Sequence, residues 1–283
     1  MTAKPPATAR RVRLGTELRR LRQRAGMTAS AAAHLLGTSS GQLSNVETAR
    51  FGVSADRIRA MADAYGCEDE AYVSALMDMT GDRSRGWWEQ YRSILPTGLL
   101  DLAELEHHAL ALRTAYTAHI PGLLQTAEHA RVVFQQVVPE LSPPEIEHRV
   151  SHRVKRQDVI YRAEPIQYSV IVHEAALRMK FGGAATARRQ LEHLLTMGER
   201  EHIALSVIPF DAGAYPGSGQ SVAYAVGPVP QLDTVHLDQS HGSVLLDAEA
   251  QLQKYRTLLG RMEAVALGPA RSRDFIHSIA QQL

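Results

Sequence analysis

The stretch Met27-Thr28-Ala29-Ser30-Ala31-Ala32-Ala33-His34-Leu35-Leu36-Gly37-Thr38-Ser39-Ser40-Gly41-Gln42-Leu43-Ser44-Asn45-Val46-Glu47 constrains this chain more than any other. It predicts a short helix opening at Thr28, a break at Gly37 and a second short helix opening at Ser39. The first helix carries a small-residue face and the second a Leu43/Val46 apolar pair. Gly37 accepts the backbone angles of a tight corner that a residue with a Cβ resists. Ser39 can accept a bond from an orphan N–H and so cap the second helix. Two short helices crossing at a tight turn containing Gly form the helix-turn-helix pattern, whose second helix lies in the DNA major groove.

Charge points the same way. Residues 1–60 hold 11 Lys+Arg against 3 Asp+Glu, a balance of +8, while the whole chain is only +1, which leaves −7 for residues 61–283. Arg10, Arg11, Arg13, Arg19, Arg20, Arg22 and Arg24 precede the helix pair; Arg50, Arg57 and Arg59 follow it. A basic run by itself is also what a solvated helix face looks like. Beside a helix pair of this kind it reads as a nucleic-acid-binding end, with an unrelated partner for the rest of the chain.

The length of 283 residues suggests about two domains. The single cysteine, Cys67, excludes an internal disulfide and a multi-cysteine zinc site, and reads as a small apolar side chain near a helix end. No signal-peptide pattern follows the basic, Pro-containing start, and no apolar stretch approaches the ~20 residues of a membrane span. A cytoplasmic protein is expected.

Residues 1–9 read as a flexible tail and 10–79 as a five-helix domain. Its first helix is expected over Val12–Arg24 with Val12, Leu14, Leu18 and Leu21 inward, its fourth over Ser54–Tyr65 and its fifth over Glu68–Met79. Residues 80–86 read as a linker. Residues 87–283 are mixed, with helices expected near 101–117, 122–137, 143–162, 186–201, 254–267 and 271–282. Strands are expected near 166–172, 203–208, 221–226 and 234–237, with a loop over 209–219. The expected fold class is mainly α with a smaller α+β part, its sheet small and antiparallel.

Leu18-Arg19-Arg20-Leu21-Arg22 through Glu47 resembles XRE-type (Cro/repressor-like) helix-turn-helix domains. Downstream, a series of stretches in family order is similar to the C-terminal domain of actinobacterial Scr1-type, antitoxin-like regulators, a domain of unknown function. They are Trp87-Trp88-x-x-Tyr91, Ile120-Pro121-Gly122-Leu123-Leu124-Gln125-Thr126, Arg149 through Gln157 and His173-Glu174-Ala175-Ala176-Leu177-Arg178. Gln190 through Leu195, Val207-Ile208-Pro209-Phe210 and Gly213-Ala214-Tyr215-Pro216-Gly217 complete the set. The resemblance implies a five-helix repressor-like DNA-binding domain and a regulator whose partner is often a small protein encoded nearby. It supplies no ligand or chemistry.

The same resemblance places base-edge contacts at Ser40, Gly41, Gln42 and Asn45, where the Gln and Asn amides can pair bidentately with adenine. Thr28, Ser39 and Ser44 are implied at sugar or phosphate, and Arg24, Arg50 and Arg57 at phosphate. Glu47 matches a structural acid that pairs with an Arg of the first helix, here Arg19 or Arg22. Ala29 departs from the family's phosphate-gripping Gln, so Thr28 or the Ser30 hydroxyl must substitute; Gly41 has no side chain to read a base, and Ser40 stands where a basic residue is common. Modest direct readout follows, with salt-sensitive phosphate contacts and a homodimer on two half-sites restoring specificity.

In the second part, His148 and His152 share a helix face, but Arg149 and Arg153 crowd it with positive charge, so a solvated basic face is preferred to a metal site. Ser218 lacks both a nucleophile elbow and a phosphate-loop ending. His173-Glu174 reads as a strand end followed by a helix start. No residue set suggests an enzyme, a metal or another cofactor. Trp87, Trp88, Tyr91, Tyr116, His119, Tyr215 and Tyr224 remain as candidate lining of a partner surface or ligand pocket, against ordinary core. The expectation is a DNA-binding transcriptional regulator, its second domain binding a small protein and mediating dimerisation. A small-molecule-responsive factor and an enzyme with a DNA-binding tag are the alternatives.

Overall fold

Helices α1 (Ala9–Arg24), α2 (Ala29–Leu35), α3 (Ser40–Glu47), α4 (Ala55–Ala64) and α5 (Glu70–Asp78) each open on a polar side chain that accepts a backbone N–H. The caps are Thr8, Thr28, Ser39, Ser54 and Asp69, and they satisfy donors that a helix start leaves unpaired. The computed structural model describes residues 7–80, 86–239 and 242–283. Residues 1–6 of the expected tail and 81–85 of the expected linker lie outside the described residues. The chain divides into two units, Met1–Glu89 and Gln90–Leu283.

In the first unit α1 packs on α3 and α4, and α4 on α5, through Leu14, Leu18, Leu21, Leu43, Ile58, Met61, Tyr72 and Leu76. Val12 was expected inward and is 47% exposed. Two helical residues turn through about 200°, so Val12 cannot share a face with Leu14. The inward place one turn after Leu14 belongs to Glu17. Its carboxylate accepts from Arg13 Nε (2.6 Å), Arg20 Nη1 (2.5 Å) and the Tyr72 hydroxyl (2.6 Å), joining α1 to α5. At Gly15 the backbones of α1 and α3 nearly touch; a Cβ there would lie 2.6 Å from the Glu47 carbonyl oxygen.

The second unit contains α6 (Thr97–His108), β1 (Ala111–Tyr116), α7 (Ala127–Phe134), α8 (Pro143–Arg156), α9 (Asp158–Tyr161), β2 (Gln167–His173) and α10 (Glu174–Arg178). Then follow α11 (Ala184–Met197), β3 (Ile203–Ile208), β4 (Val222–Val226), β5 (Thr234–Gln239), β6 (Gly242–Leu246), α12 (Glu249–Val265) and α13 (Pro269–Gln281). The six strands form one sheet in the order β3-β2-β1-β4-β5-β6. The α+β class is as expected, but the sheet is larger and mixed. β1, β2 and β3 run parallel, and only the β4–β6 side is antiparallel.

Two strands differ from expectation. The segment 101–117 splits into α6 and β1, because β1 pairs along its length with β2 and along most of it with β4. Cross-strand pairing on both sides outweighs the local helical pattern. β6, a short edge strand on β5, had no apolar alternation to announce it. One sheet face, with Leu112, Val170, Val172, Leu205 and Val207, packs against Leu191 and Leu194 of α11 and Ile276 and Ile279 of α13. The other, with Ile171, Val222, Val235 and Leu237, packs under Leu252, Tyr255, Leu259 and Met262 of α12.

The Gly15 contact carries a prediction. Gly15→Ala places a methyl against backbone that cannot rotate away, so it should destabilise the full chain by about 1–3 kcal/mol. Gly52→Ala, whose added Cβ meets only an arginine tip at 3.9 Å, should change little in the same chemical denaturation. Equal midpoints for the two variants would refute the close α1–α3 approach.

Candidate nucleic-acid interface

The corner between α2 and α3 turns on Gly37, whose φ of 60° lies in the left-handed region and whose Cβ position is open. Thr28 and Ser39 spend their oxygens as helix caps, each keeping a hydroxyl proton to donate. Along α3, Ser40, Gly41, Gln42 and Ser44 are exposed and Asn45 is half-buried, while Leu43 and Glu47 are buried. Val46, expected in the core, is half-buried. The Thr38 hydroxyl donates to Gln42 Oε1 at 2.6 Å, which orients that amide while leaving its NH2 free to donate outward.

What fixes the tilt of α3 is a buried ion pair. Arg22 Nε and Nη2 fork onto the two Glu47 oxygens at 2.6 and 2.9 Å, and Arg22 Nη1 donates to the Met27 carbonyl at 2.8 Å. The Glu47 bond is the main cause that raises the Arg22 pKa, against the desolvation that lowers it. Of the two arginines the sequence left open, Arg22 fills the role, and Arg19 is exposed. The last turn of α1, the loop after it and the end of α3 are thereby tied together.

The basic residues divide by role. Arg13 and Arg20 are paired with Glu17, and Arg59 with Glu70, so part of the N-terminal charge excess is structural. Arg57 donates to the Leu36 carbonyl at 2.9 Å, holding the end of α2 with one arm of its guanidinium. Arg24 and Arg50 are exposed.

The aromatic candidates do not converge as one set: Trp87 and Trp88 belong to the first unit and the others to the second. Tyr224 is a core residue, its hydroxyl bonded to Asp233 at 2.6 Å. Tyr215, in the Gly/Pro-rich loop, is half-buried with its ring against His173. Tyr91 bonds Ser151 on α8 and packs edge-on to His152. Trp87 and Trp88 meet each other edge to face, and Trp88 is buried. Tyr116 and Tyr224 lie on opposite sheet faces, since Tyr116 shares parity with Leu112 and Tyr224 is in register with Arg113. His119 is exposed and stacks on Phe181.

Sequence reading missed a polar cluster on the face of β1 that carries Leu112 and Tyr116. Arg156 on α8 forks onto Glu106 on α6 at 2.8 and 2.5 Å, a fully buried pair. One turn earlier, Arg153 is only half-buried and donates to Gln125 at 2.6 Å. Tyr116, at the end of β1, is also half-buried; desolvation raises its hydroxyl pKa, with Arg156, Glu106, Arg153 and Asp238 acting on it. These groups come from α6, β1, α8 and β5, too far apart in sequence for any spacing rule. Among the described residues, no group of three or more His, Cys, Asp or Glu side chains is placed to hold a metal.

Two families match this chain. A family described as a helix-turn-helix domain covers residues 13–76, and one described as a domain of unknown function (DUF5753) covers residues 99–278. No curated protein and no solved structure matches. No helix among the described residues is long and apolar enough to cross a membrane.

Acid should weaken the second unit through its buried imidazoles. Burial lowers the pKa of His129 from 6.5 to about 4 and of His152 to about 3, with His119 and Arg153 adding to the effect on His129, and Arg156 and Arg153 on His152. The unfolded chain takes up these protons first, so stability is intact above about pH 6.5 and falls as pH drops toward the folded values. Urea unfolding from pH 7 to 4 should show this decline, shallower in His129→Leu. An identical slope in that variant would show that His129 is not held neutral.

Proposed function

Because the chain belongs to the family described as a domain of unknown function (DUF5753), with a helix-turn-helix domain ahead of it, we propose that it is a sequence-specific transcriptional regulator. The carrying observation is the exposed run Ser40, Gly41, Gln42 and Ser44, with Asn45 beside it, on a helix clamped from behind by Arg22 and Glu47. A clamped helix presenting amides and hydroxyls suits the major groove, where Gln42 and Asn45 face adenine edges. Ser39, Thr28, Arg24 and Arg50 contribute phosphate contacts, and Arg57 does so with what its bond to Leu36 leaves over. The domain is of the XRE type and works as a homodimer in the cytoplasm, two recognition helices spanning two half-sites.

The second unit is the receiver, of the Scr1 type. One reading gives it a small, antitoxin-like protein encoded nearby, docking through aromatic residues such as Tyr91 and Tyr215. The polar cluster with half-buried Tyr116 and Arg153 favours the other, a small-molecule effector. The reading assigns the chain no catalysis. Glu106 is committed to Arg156, and Glu174 to Arg178 and the Phe210 N–H, so neither serves as a free acid or base.

The test is site selection from random duplexes with the full chain, followed by competition between the selected and a scrambled duplex. Gln42→Ala/Asn45→Ala should lower the preference for the selected site by about 10-fold or more, at about 1–3 kcal/mol per base contact. Binding to the scrambled duplex should persist, because phosphate contacts remain. An undiminished preference would move the recognition surface off α3.

A further inference from the structure

Arg153 and Arg156 stand three residues apart on α8 and have opposite fates. Arg156 is matched by a carboxylate. Arg153 is not: among the described residues its only hydrogen bond goes to Gln125. Its guanidinium lies 4.8 Å above the centre of the Phe134 ring and rests on Gly122, where an added Cβ would come within 3.0 Å of Nη1. A guanidinium has five N–H donors in a planar fork suited to an oxyanion, so most of this one's capacity is unspent. Burial, reinforced by the neighbouring Arg156, pulls its pKa down to about 10, against the smaller opposing pull of Tyr116, Glu106 and Asp238; neither of the two carboxylates is hydrogen-bonded to it.

The surroundings are held in place by side-chain amides. Gln125, which holds Arg153, is itself fixed by its Nε2 donating to the Ile120 carbonyl at 2.7 Å. Gln157 and Gln190 donate to the carbonyls of Gln125 and Leu124, each at 2.7 Å, so the turn at 122–124 is braced from α8 and α11. His129 on α7 is 2% exposed, and neither of its ring nitrogens has a hydrogen-bond partner. Arg153 and His119 both lower its pKa electrostatically. Phe181 joins the two imidazoles, stacking on His119 with centroids 5.3 Å apart and meeting His129 edge-on at 5.4 Å. Leaving a buried imidazole unbonded costs about 1–3 kcal/mol, a cost that a ligand bonded to it would remove.

We propose that the polar cluster between α7, α8 and the C-terminal end of β1 binds a small organic anion, its carboxylate or phosphate held by Arg153. Tyr116 and His129 donate neutral hydrogen bonds, and His119 with Phe181 forms an aromatic wall for a planar body. Tyr116 lies at the carboxyl end of β1, which pairs parallel to β2, and open sheets with parallel strands bind ligands beyond the carboxyl ends of those strands. The inference deepens the receiver reading and, for its regulatory consequence, rests on it.

Calorimetric titration of the full chain without DNA tests the binding, with benzoate, inorganic phosphate and neutral benzamide as probes. Benzoate or phosphate should bind saturably at one per chain, and benzamide should not bind. A preference for benzoate identifies a carboxylate ligand with an aromatic body; a preference for phosphate identifies a phosphate ester. Arg153→Gln should weaken the bound anion by about 10-fold or more, with Arg153→Lys in between. His119→Ala, which removes an exposed ring, should weaken benzoate more than phosphate and keeps the test open if Arg153→Gln does not fold. No saturable anion binding, benzamide binding as well as benzoate, or unchanged affinity in a folded Arg153→Gln would overturn the proposal. DNA binding with and without the bound anion is a separate readout: if it does not respond, the receiver reading fails while the site stands.

Discussion

The fork of Arg22 onto Glu47 is the interaction on which the first unit depends. α3 has eight residues, too few to hold itself together or to choose its own angle. It is fixed where its end meets α1: a buried bidentate pair on one side, and at Gly15 a backbone contact too close for any other residue. Both partners are buried, so removing either would strand a charge at a cost of about 3–5 kcal/mol. The pair thus acts as a registration device, setting which face of α3 looks outward.

The second unit repeats this logic with amides. The stretches that carry the family resemblance, scattered along the sequence, meet pairwise in space. Ile120–Thr126 is gripped by Gln157 and Gln190 from two other stretches, and the Thr126 N–H donates to Gln190 Oε1 at 2.8 Å. Glu174 accepts from the Phe210 N–H at 2.7 Å, and His173 packs on Phe210 and Tyr215. Tyr91 reaches Ser151. Neutral side-chain amides satisfy irregular backbone that would otherwise be buried unbonded. Arg153 stands out against this background because its donors are so little used.

Legibility in the sequence followed the range of the governing interaction. The starts of α2, α3 and α4 were readable because a cap acts within three residues, as Thr28, Ser39 and Ser54 do. The corner at Gly37 was readable for the same reason. The strand β1 was not: its partners Gln167–Val172 and Val222–Val226 lie far along the chain, and only their pairing distinguishes it from helix. Glu17 was unreadable as core because its burial depends on Tyr72, 55 residues away. At the interface, the exposed residues of α3 lay where the spacing put them, while Arg57 proved partly structural. In the second unit the aromatic side chains attracted attention, yet Tyr224 is core, and the arginine without a carboxylate partner is Arg153 of α8, which the sequence offered only as part of a solvated basic face.

Hydroxyl-radical footprinting of the full chain on a selected duplex tests the central claim most directly. A homodimer presenting α3 to the major groove should protect two half-sites centred about one helical turn, roughly 34–36 Å, apart on one face of the DNA. Uniform protection along the duplex, or a single protected half-site at saturation, would contradict it.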